Sequence, residues 1–349
     1  MRPLDAGVRR IALFRALVLG DVLCAVPAWR ALRAACPAAR LTLVGLPWAR
    51  ELAQRLSCLD DFVAFPGHPA LPEGRCDARA WPAFLARLRA QSCDVALQMH
   101  GSGTVTNPLV RRFGAQRTVG FCTGGDGGED PADFMPWPQQ GHEIDRLLSL
   151  TDALGVPRRG RALEFPLGEA DRRALRQRGL VPPRSYVVVH PGAQLPSRCW
   201  PAACFARVAD ALAGAGHAVV LTGTSGEAPL VRQVQAAMRA PATDLAGRTG
   251  LFELGALVER ARLVVCNDTG ISHVAAALQV PSVVISSGGD VARWRPLDAQ
   301  RHRVLWRDAP CRPCAHPVCP YGHECARGVP VEAVLDAARA LLRKEPHAT

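Results

Sequence analysis

The sequence predicts an α/β protein built from two doubly wound domains. Short apolar segments typical of buried strands alternate along the chain with amphipathic segments typical of helices. The alternation stops over residues 155–185, which are rich in Pro, Gly and Arg, and then restarts. Such a stretch is typical of a crossing between domains, and 349 residues are enough for two ordinary domains. Because the two halves are alike, we expect two domains that face each other across a cleft.

In the first half, the spacing of apolar residues predicts three strands and three helices. The strands are expected at 11–14, 41–44 and 94–99. The helices are expected at 22–36, 48–56 and 142–154. Pro27 suits the first turn of its helix, where the missing N–H group would be unbonded anyway. By composition, 122–141 is a loop.

The second half predicts four strands and five helices. The strands are expected at 186–190, 217–223, 262–268 and 281–287. The helices are expected at 201–214, 227–239, 251–261, 271–278 and 330–343. Ligands of doubly wound sheets bind outside the carboxyl ends of the strands, so the loops that follow these strands are the first candidates for a site.

Composition and charge narrow the class of protein. Apolar residues make up 48% and charged residues 21%, which indicates a globular chain. The net charge of +11 comes almost entirely from arginine, and it indicates either an anionic partner or arginine used on solvated faces in place of lysine. Aromatic residues are only 5% and do not alternate with basic clusters, so we expect no nucleic-acid binding.

The N-terminus resembles a signal peptide, with basic residues before an apolar stretch. Arg15 and Asp21 interrupt that stretch, so a buried first strand is the better interpretation. No apolar run reaches the length of a membrane span. We therefore expect a cytoplasmic protein, in which disulfides are not expected.

Two loops of the second half carry charged side chains directly after strands. Arg198 lies between a strand and a helix, where its planar guanidinium suits the paired oxygens of a diphosphate; the alternative is an ordinary surface arginine. Glu227 opens the next helix, where it either favours the helix dipole or binds ribose hydroxyls.

The stretch VVCNDTGISHVAAAL at 264–278 passes from a strand into an alanine-rich helix. A helix beginning at Thr269 and Gly270 would direct its free N–H groups at a phosphate. The alternative makes Asp268 or Thr269 the N-cap and His273 a packing residue. Together with Arg198 and Glu227, this stretch favours a site for a nucleotide diphosphate.

In the first half, Asp21 follows a Gly in the loop after the first strand. The loop lacks the G-x-G-x-x-G pattern, so NAD or FAD binding is not expected there. Asp21 is a candidate general base, and the alternative is an N-cap of the following helix.

Thirteen cysteines are present, and nine of them are scattered singly, as buried small hydrophobic residues often are. The other four follow the spacing C-x2-C-x4-C-x5-C and are Cys311, Cys314, Cys319 and Cys325. Four thiolates this close could hold a structural zinc or iron ion, or they could remain reduced thiols on a structured loop.

Over nearly the whole chain, these motifs in this order resemble glycosyltransferase family 9, the ADP-heptose:lipopolysaccharide heptosyltransferases. The matching segments are Gly20-Asp21 with Pro27, RALRAACPAARLTLV (30–44), DVALQMHGS (94–102), His142-x-x-Asp145-Arg146, HPGA (190–193), Arg198 to Pro201, LTG with GE (221–227), LAGRTGLFELGALV (245–258) and NDTGISHVAAAL (267–278). The last is the most specific. The cysteine spacing resembles the second heptosyltransferase branch, and Arg198 departs from the usual lysine.

The resemblance implies the GT-B fold, with an acceptor domain at 1–165, a nucleotide-sugar domain at 166–329, and a last helix at 330–349 that crosses back to the first domain. It implies inverting transfer that needs no cofactor for catalysis. The implied roles are Asp21 as base, Arg198 at the departing ADP diphosphate, Glu227 at the ribose, Asp268 at the sugar hydroxyls, Thr269 and Gly270 at the phosphate, and His273 beside the donor. Acceptor contacts are expected from His100 and Ser102 in the loop 100–104, and from 122–141.

The function implied is transfer of heptose from an ADP-heptose donor to a lipopolysaccharide core or other glycan acceptor, in peripheral contact with the inner membrane. One alternative is the same transfer to a protein acceptor, and a second is a sugar-nucleotide epimerase with a similar nucleotide site. A third is a non-catalytic assembly or metal-binding protein, in which the cysteine cluster would be the essential feature.

Overall fold

The computed structural model describes residues 1–124, 130–180 and 185–343. The chain forms two compact units, Met1–Pro166 and Leu167–Thr349, where the predicted boundary lay after residue 165. Each unit contains a six-stranded sheet in which all the strands are parallel. The predicted α/β class is therefore confirmed.

The strands of the first unit are β1 (Arg10–Phe14), β2 (Arg40–Gly45), β3 (Asp61–Ala64), β4 (Val95–Gln98), β5 (Arg117–Cys122) and β6 (Phe134–Pro136). Its helices are α1 (Leu19–Ala35), α2 (Arg50–Arg55), α3 (Trp81–Ala90), α4 (Thr106–Arg111) and α5 (Glu143–Ala153). The strand order is β3-β2-β1-β4-β5-β6. The order reverses direction between β1 and β4, which pair directly, with Ile11 opposite Val95.

The strands of the second unit are β7 (Tyr186–His190), β8 (Ala218–Leu221), β9 (Ala242–Asp244), β10 (Val264–Asn267), β11 (Ser282–Ile285) and β12 (His302–Leu305). Its helices are α6 (Glu169–Gln177), α7 (Ala202–Gly214), α8 (Ala228–Ala237), α9 (Leu251–Glu259), α10 (Gly270–Ala277), α11 (Val291–Trp294), α12 (Glu324–Arg327) and α13 (Val331–Leu342). The strand order is β12-β11-β10-β7-β8-β9, with the reversal between β7 and β10.

These two reversals decide where ligands are expected. In a doubly wound sheet, a crevice opens outside the carboxyl ends of the two strands at which the order reverses. The chain that leaves β1 enters α1 with Asp21 in its first turn, and the chain that leaves β4 reaches His100. In the second unit, Arg198 follows β7 and Asp268 follows β10. The candidate residues thus follow the strands at the two reversal points.

The structure differs from the prediction in several elements. α1 begins at Leu19, so Pro27 lies well inside the helix and not in its first turn. β6 lies within 122–141, which was predicted to be loop throughout, and residues 125–129 of that segment are outside the described residues.

The last helix belongs to the second unit. α13 buries Val331, Val334, Ala338 and Leu341 in the same core as Trp200. The prediction had set 330–349 apart as a helix that crosses back to the first domain. The crossing back to the first domain stays a prediction, and residues 344–349 of that segment lie outside the described residues.

Within the described part of the chain, no helix is both long enough and apolar enough to cross a membrane.

Candidate active site

Asp21 lies in the first turn of α1, directly after the carboxyl end of β1. The N-cap of α1 is Val18, so the alternative that made Asp21 the N-cap is wrong. A carboxylate in the first turn is favoured by the helix dipole. The Asp21 side chain is 17% exposed, so its carboxylate is largely shielded yet still reachable.

Arg15 holds the turn that carries Asp21. Its side chain is fully buried at the end of β1. The Nε atom donates to the backbone oxygen of Asp21 at 2.6 Å, and Nη2 lies 3.5 Å from Asp21 Oδ1. Nη1 donates to the backbone oxygen of Met99, which follows β4. In the sequence, Arg15 is visible only as an interruption of an apolar stretch, and no local pattern indicates this role.

The charge of Arg15 is balanced from α5. Arg15 Nη2 donates to Glu143 Oε1 at 3.0 Å, and Glu143 Oε2 lies 3.4 Å from Arg146 Nη1. Glu143 is 1% exposed and Arg146 is 4% exposed. Removing one partner from a buried ionic network leaves an uncompensated charge, so these groups depend on one another. Arg146 is the arginine of the predicted His-x-x-Asp-Arg motif, and His142 is the N-cap of α5.

His100 lies in the loop after β4, as predicted. Its Nδ1 accepts from the backbone N–H of Ala16 at 3.3 Å, and its ring stacks on Phe14 at 5.3 Å. Its Nε2 lies 3.7 Å from Glu73 Oε1, a contact that the sequence analysis missed. Burial alone would raise the pKa of Glu73, but the hydrogen bond to His100, a backbone hydrogen bond and the charge of His100 together outweigh it and lower the pKa. Ser102 is partly exposed in the same loop.

The two carboxylate oxygens of Glu227 have different surroundings: one caps a turn, and the other lies against the loop after β7. Its Oε2 accepts from the backbone N–H of Thr224 at 2.7 Å, as the capping alternative predicted. Its Oε1 is so close to Gly192 of the HPGA motif that an added Cβ there would lie 2.0 Å away. His190 Nε2 lies 3.9 Å from Glu227, and burial lowers the pKa of His190, which favours its neutral form. The carboxylate is thus held against the loop after β7.

Arg198 ends a short 3-10 turn, Pro196–Arg198, in the loop after β7. Its Nη2 donates to the backbone oxygen of Cys314 at 2.8 Å. The arginine is partly buried, so the alternative of an ordinary surface arginine does not describe it. The cysteine-containing segment, residues 311–325, therefore helps to orient Arg198, a contact that the spacing of residues in the sequence could not show.

Asp268 follows β10 and accepts from Ser286 Oγ at 3.1 Å. Burial raises the pKa of Asp268, whereas the Ser286 hydrogen bond and the charges of Arg198 and Arg312 favour its ionised form. Thr269 occupies the N-cap position of α10, but its side chain makes no capping hydrogen bond to the described residues.

His273 lies one turn into α10 and is 5% exposed. The edge of its ring faces Trp294, with 6.3 Å between the ring centroids. This contact is what the packing alternative predicts. A role for His273 beside the donor stays a prediction.

The cysteine-containing segment, residues 311–325, joins two strand-end loops. Cys314 N–H donates to Gly288 beyond β11, and Ser197 in the loop after β7 donates its N–H to Pro317 at 3.1 Å. His323 Nε2 lies 2.7 Å from the backbone oxygen of Ser197. All four cysteines are free thiols, and no three His, Cys, Asp or Glu side chains within the described ranges are grouped so as to hold a metal ion.

Comparison with known proteins finds a matching family model and similar heptosyltransferases. A family model described as glycosyltransferase family 9 (heptosyltransferase) matches residues 81–324. Lipopolysaccharide heptosyltransferase 3 of Escherichia coli is 33% identical over 165 residues, which are 45% of this chain and 48% of that protein. Lipopolysaccharide heptosyltransferase 2 of Escherichia coli strain K12 is 26% identical over 283 residues, 76% of this chain and 79% of that protein. The match thus spans about half of the first relative and more of the second.

A solved structure shows the same fold. The glycosyl transferase family 9 structure from Veillonella parvula DSM 2008 matches with a TM-score of 0.83 at 21% identity, over 97% of this chain and 98% of that chain. Together with the two parallel sheets, this confirms the predicted GT-B fold of two Rossmann-like units.

Proposed function

Because the chain belongs to glycosyltransferase family 9, the heptosyltransferase family, we propose that it transfers heptose from ADP-heptose to a lipopolysaccharide core or related glycan. The names of the two matched relatives support the donor and the acceptor. The observation that carries the proposal is the placement of Asp21, Arg198 and Asp268 after strands at the two reversal points of the sheets. Doubly wound proteins bind their ligands at such points.

The second unit would bind the donor. Arg198 would pair with diphosphate oxygens, and its charge would stabilise the negative charge that develops on departing ADP. Thr269 and Gly270 would place the start of α10 at the phosphate. Glu227 would bind the ribose through the carboxylate edge that faces Gly192. What supports these roles is that all of the groups follow β7, β8 or β10 in one sheet.

The first unit would bind the acceptor and supply the base. The acceptor oxygen attacks the anomeric carbon, a new C–O bond forms with inversion, and the bond from that carbon to the diphosphate oxygen breaks. Asp21 takes the proton of the attacking hydroxyl, and ADP leaves with the bonding electron pair. His100 and Ser102, in the loop after β4, would contact the acceptor. No cofactor is required by this sequence of steps.

We further propose that the protein is cytoplasmic and in peripheral contact with the inner membrane, with no nucleic-acid partner. The proposed acceptor supports this, because a lipopolysaccharide core is attached to a lipid. The arginine-rich charge of +11 is also suited to an anionic surface.

We also propose that the four cysteines bind a structural zinc or iron ion, on the basis of their spacing alone. Thiolates are the ligands that both metals accept in closed structural sites. The grouping of the described side chains does not support it, so no step of the reaction is assigned to a metal. Metal analysis of the purified chain tests this proposal: one bound ion per chain supports it, and a metal-free, folded and active chain contradicts it.

A donor screen tests the proposed function. Thermal shift with ADP, GDP and UDP sugars at equal concentrations should give the largest stabilisation with ADP-heptose, because a ligand that binds the native state stabilises it by an amount that grows with the logarithm of its affinity. Stabilisation by ADP-heptose without transfer to any glycan would favour the epimerase. A preference for a GDP or UDP sugar would contradict the heptose assignment while leaving the fold intact.

A further inference from the structure

Several buried polar atoms without a partner lie in the loops after β7 and β11 and in the cysteine-containing segment. Three of them, Arg198 Nε, Ser287 Oγ and Arg312 Nε, have no hydrogen-bond partner among the residues that the structure describes. Ser287 is 1% exposed. Buried polar groups in proteins nearly always have a partner, so three such atoms on neighbouring segments indicate a polar ligand that is not part of the chain.

Arg312 is fixed in this region by the chain that leaves β11. Its Nη1 donates to the backbone oxygen of Ser286 at 3.2 Å, and its Nη2 bonds to the same oxygen. Ser286 Oγ in turn donates to Asp268 Oδ2 at 3.1 Å. Arg312, Ser286 and Asp268 therefore form a connected polar row. The two terminal nitrogens of Arg312 are held by Ser286, which leaves Nε for another acceptor.

The space beside Asp268 depends on two glycines. A Cβ added to Gly289 would lie 2.4 Å from Asp268 Oδ2 and 3.0 Å from Ser286 Oγ. Gly288 has φ +84° and would place a Cβ 3.0 Å from Cys314 Cβ. A side chain at either position would disturb the polar row or its contact with the cysteine-containing segment. The glycines thus allow the backbone to pass close to both Asp268 and Cys314.

The donors and acceptors in this region suit a ligand with hydroxyl groups better than a phosphate. Asp268 supplies an acceptor, Arg312 Nε a donor, and Ser287 either, whereas each sugar hydroxyl donates one hydrogen bond and accepts others. Asp290 adds a second negative charge that faces Asp268. Two carboxylates would repel a phosphate at close range but can accept hydrogen bonds from a neutral polyol.

We propose that Arg312, together with Asp268 and Ser287, binds hydroxyls of the transferred sugar and is a specificity-determining residue of the donor site. The proposal rests on the proposed function, since the sugar is the one carried by the ADP donor. It assigns to the cysteine-containing segment a direct part in donor recognition, through the arginine next to Cys311.

Calorimetric titration of the full chain, without acceptor, tests the proposal with two probes: ADP and ADP-heptose. Arg312→Gln should weaken ADP-heptose binding by about tenfold or more, the usual effect of losing a charge-assisted hydrogen bond, and leave ADP binding within about twofold. Arg312→Lys keeps the positive charge but loses the planar guanidinium with its fixed donors, so we expect an intermediate loss of ADP-heptose affinity. Arg207→Gln, which removes an exposed arginine paired with Glu332 on the surface, is the matched control and should change neither affinity.

Three results would count against the inference. Unchanged ADP-heptose affinity in both Arg312 variants would show that Arg312 does not touch the sugar. Equal loss of ADP and ADP-heptose binding would place its effect on the nucleotide or on the fold, and would overturn the assignment. A wild-type chain that binds neither probe would overturn the proposed function itself, and the inference with it.

Discussion

Arg15 is a single residue on which the geometry around Asp21 depends. It has no exposure to solvent, yet it bonds to the backbone of Asp21, to Met99 and to Glu143. A fully buried guanidinium is stable only when its charge is paired and its donors are used. Its hydrogen bond to the Asp21 backbone fixes the start of α1 relative to the end of β1, and Glu143 balances its charge. In the proposed reaction, Arg15 would act by positioning Asp21.

Replacing Arg15 with Met should lower the free energy of unfolding by about 3 kcal/mol or more, because Glu143 would lose a buried ionic partner and the backbone oxygens of Asp21 and Met99 would lose a buried donor. Denaturant titration at neutral pH measures this. Arg207→Met, which removes an exposed ion pair, should cost at most about 1 kcal/mol. Equal losses in the two variants would mean that the buried network contributes no more than a surface pair.

Residues are predictable from sequence when their role is local. Asp268, Thr269 and Gly270 were recognised because they stand together at one passage from strand to helix. Arg15 and Glu143 are separated by 128 positions, so their contact depends on how α5 packs against α1. The same is true of Glu73 with His100 and of Arg198 with Cys314. Those pairings follow from the fold and leave no local pattern in the sequence.

At the scale of elements, every inner strand except β5 was predicted, and none of the four edge strands was. β3 and β6 lie at the edges of the first sheet, and β9 and β12 at the edges of the second. Edge strands are covered on fewer sides and need fewer apolar residues. β9 has three residues, none of them fully buried, so no apolar run marks it. The central strands are buried on both faces and appear in the sequence as runs such as YVVVH.

The pairing of β11 with β12 predicts a dependence on pH. His302 on β12 lies opposite Ser282 on β11, and its Nδ1 is 2.8 Å from Ser282 Oγ. Burial lowers the pKa of His302 from 6.5 to about 4. The unfolded chain then binds a proton that the native chain does not, so stability is full above about pH 6.5 and is lost as the pH falls toward 4.

Thermal unfolding of wild type and His302→Gln at pH 7 and pH 5 measures this contribution. The variant should lose less stability than wild type between the two pH values, because one titrating group is absent. His68→Gln, a histidine replaced in the first unit, should keep the wild-type pH dependence. Identical pH dependence of His302→Gln and wild type would show that His302 does not carry the effect.

At the scale of the whole molecule, one arrangement is repeated in two units. Each has a six-stranded parallel sheet whose order reverses between a pair of adjacent strands, β1 with β4 and β7 with β10. The sequence predicts this repetition because the alternation of strands and helices stops and restarts near the boundary at Pro166.

The division of work between the units is the central claim: the second binds ADP-heptose and the first supplies Asp21 as base. Asp21→Asn keeps the size of the side chain and removes its basicity. It leaves the donor-binding groups of the second unit unchanged. Asp5→Asn, at an exposed position of the same unit, is the matched control.

The most direct test is release of ADP by the full chain with ADP-heptose and a lipopolysaccharide-core acceptor, measured with donor affinity in the same preparations. The account predicts turnover by wild type and Asp5→Asn, and in Asp21→Asn a loss of about 10²-fold or more with donor affinity unchanged. Turnover by Asp21→Asn at the wild-type rate, or no transfer by wild type, would contradict it.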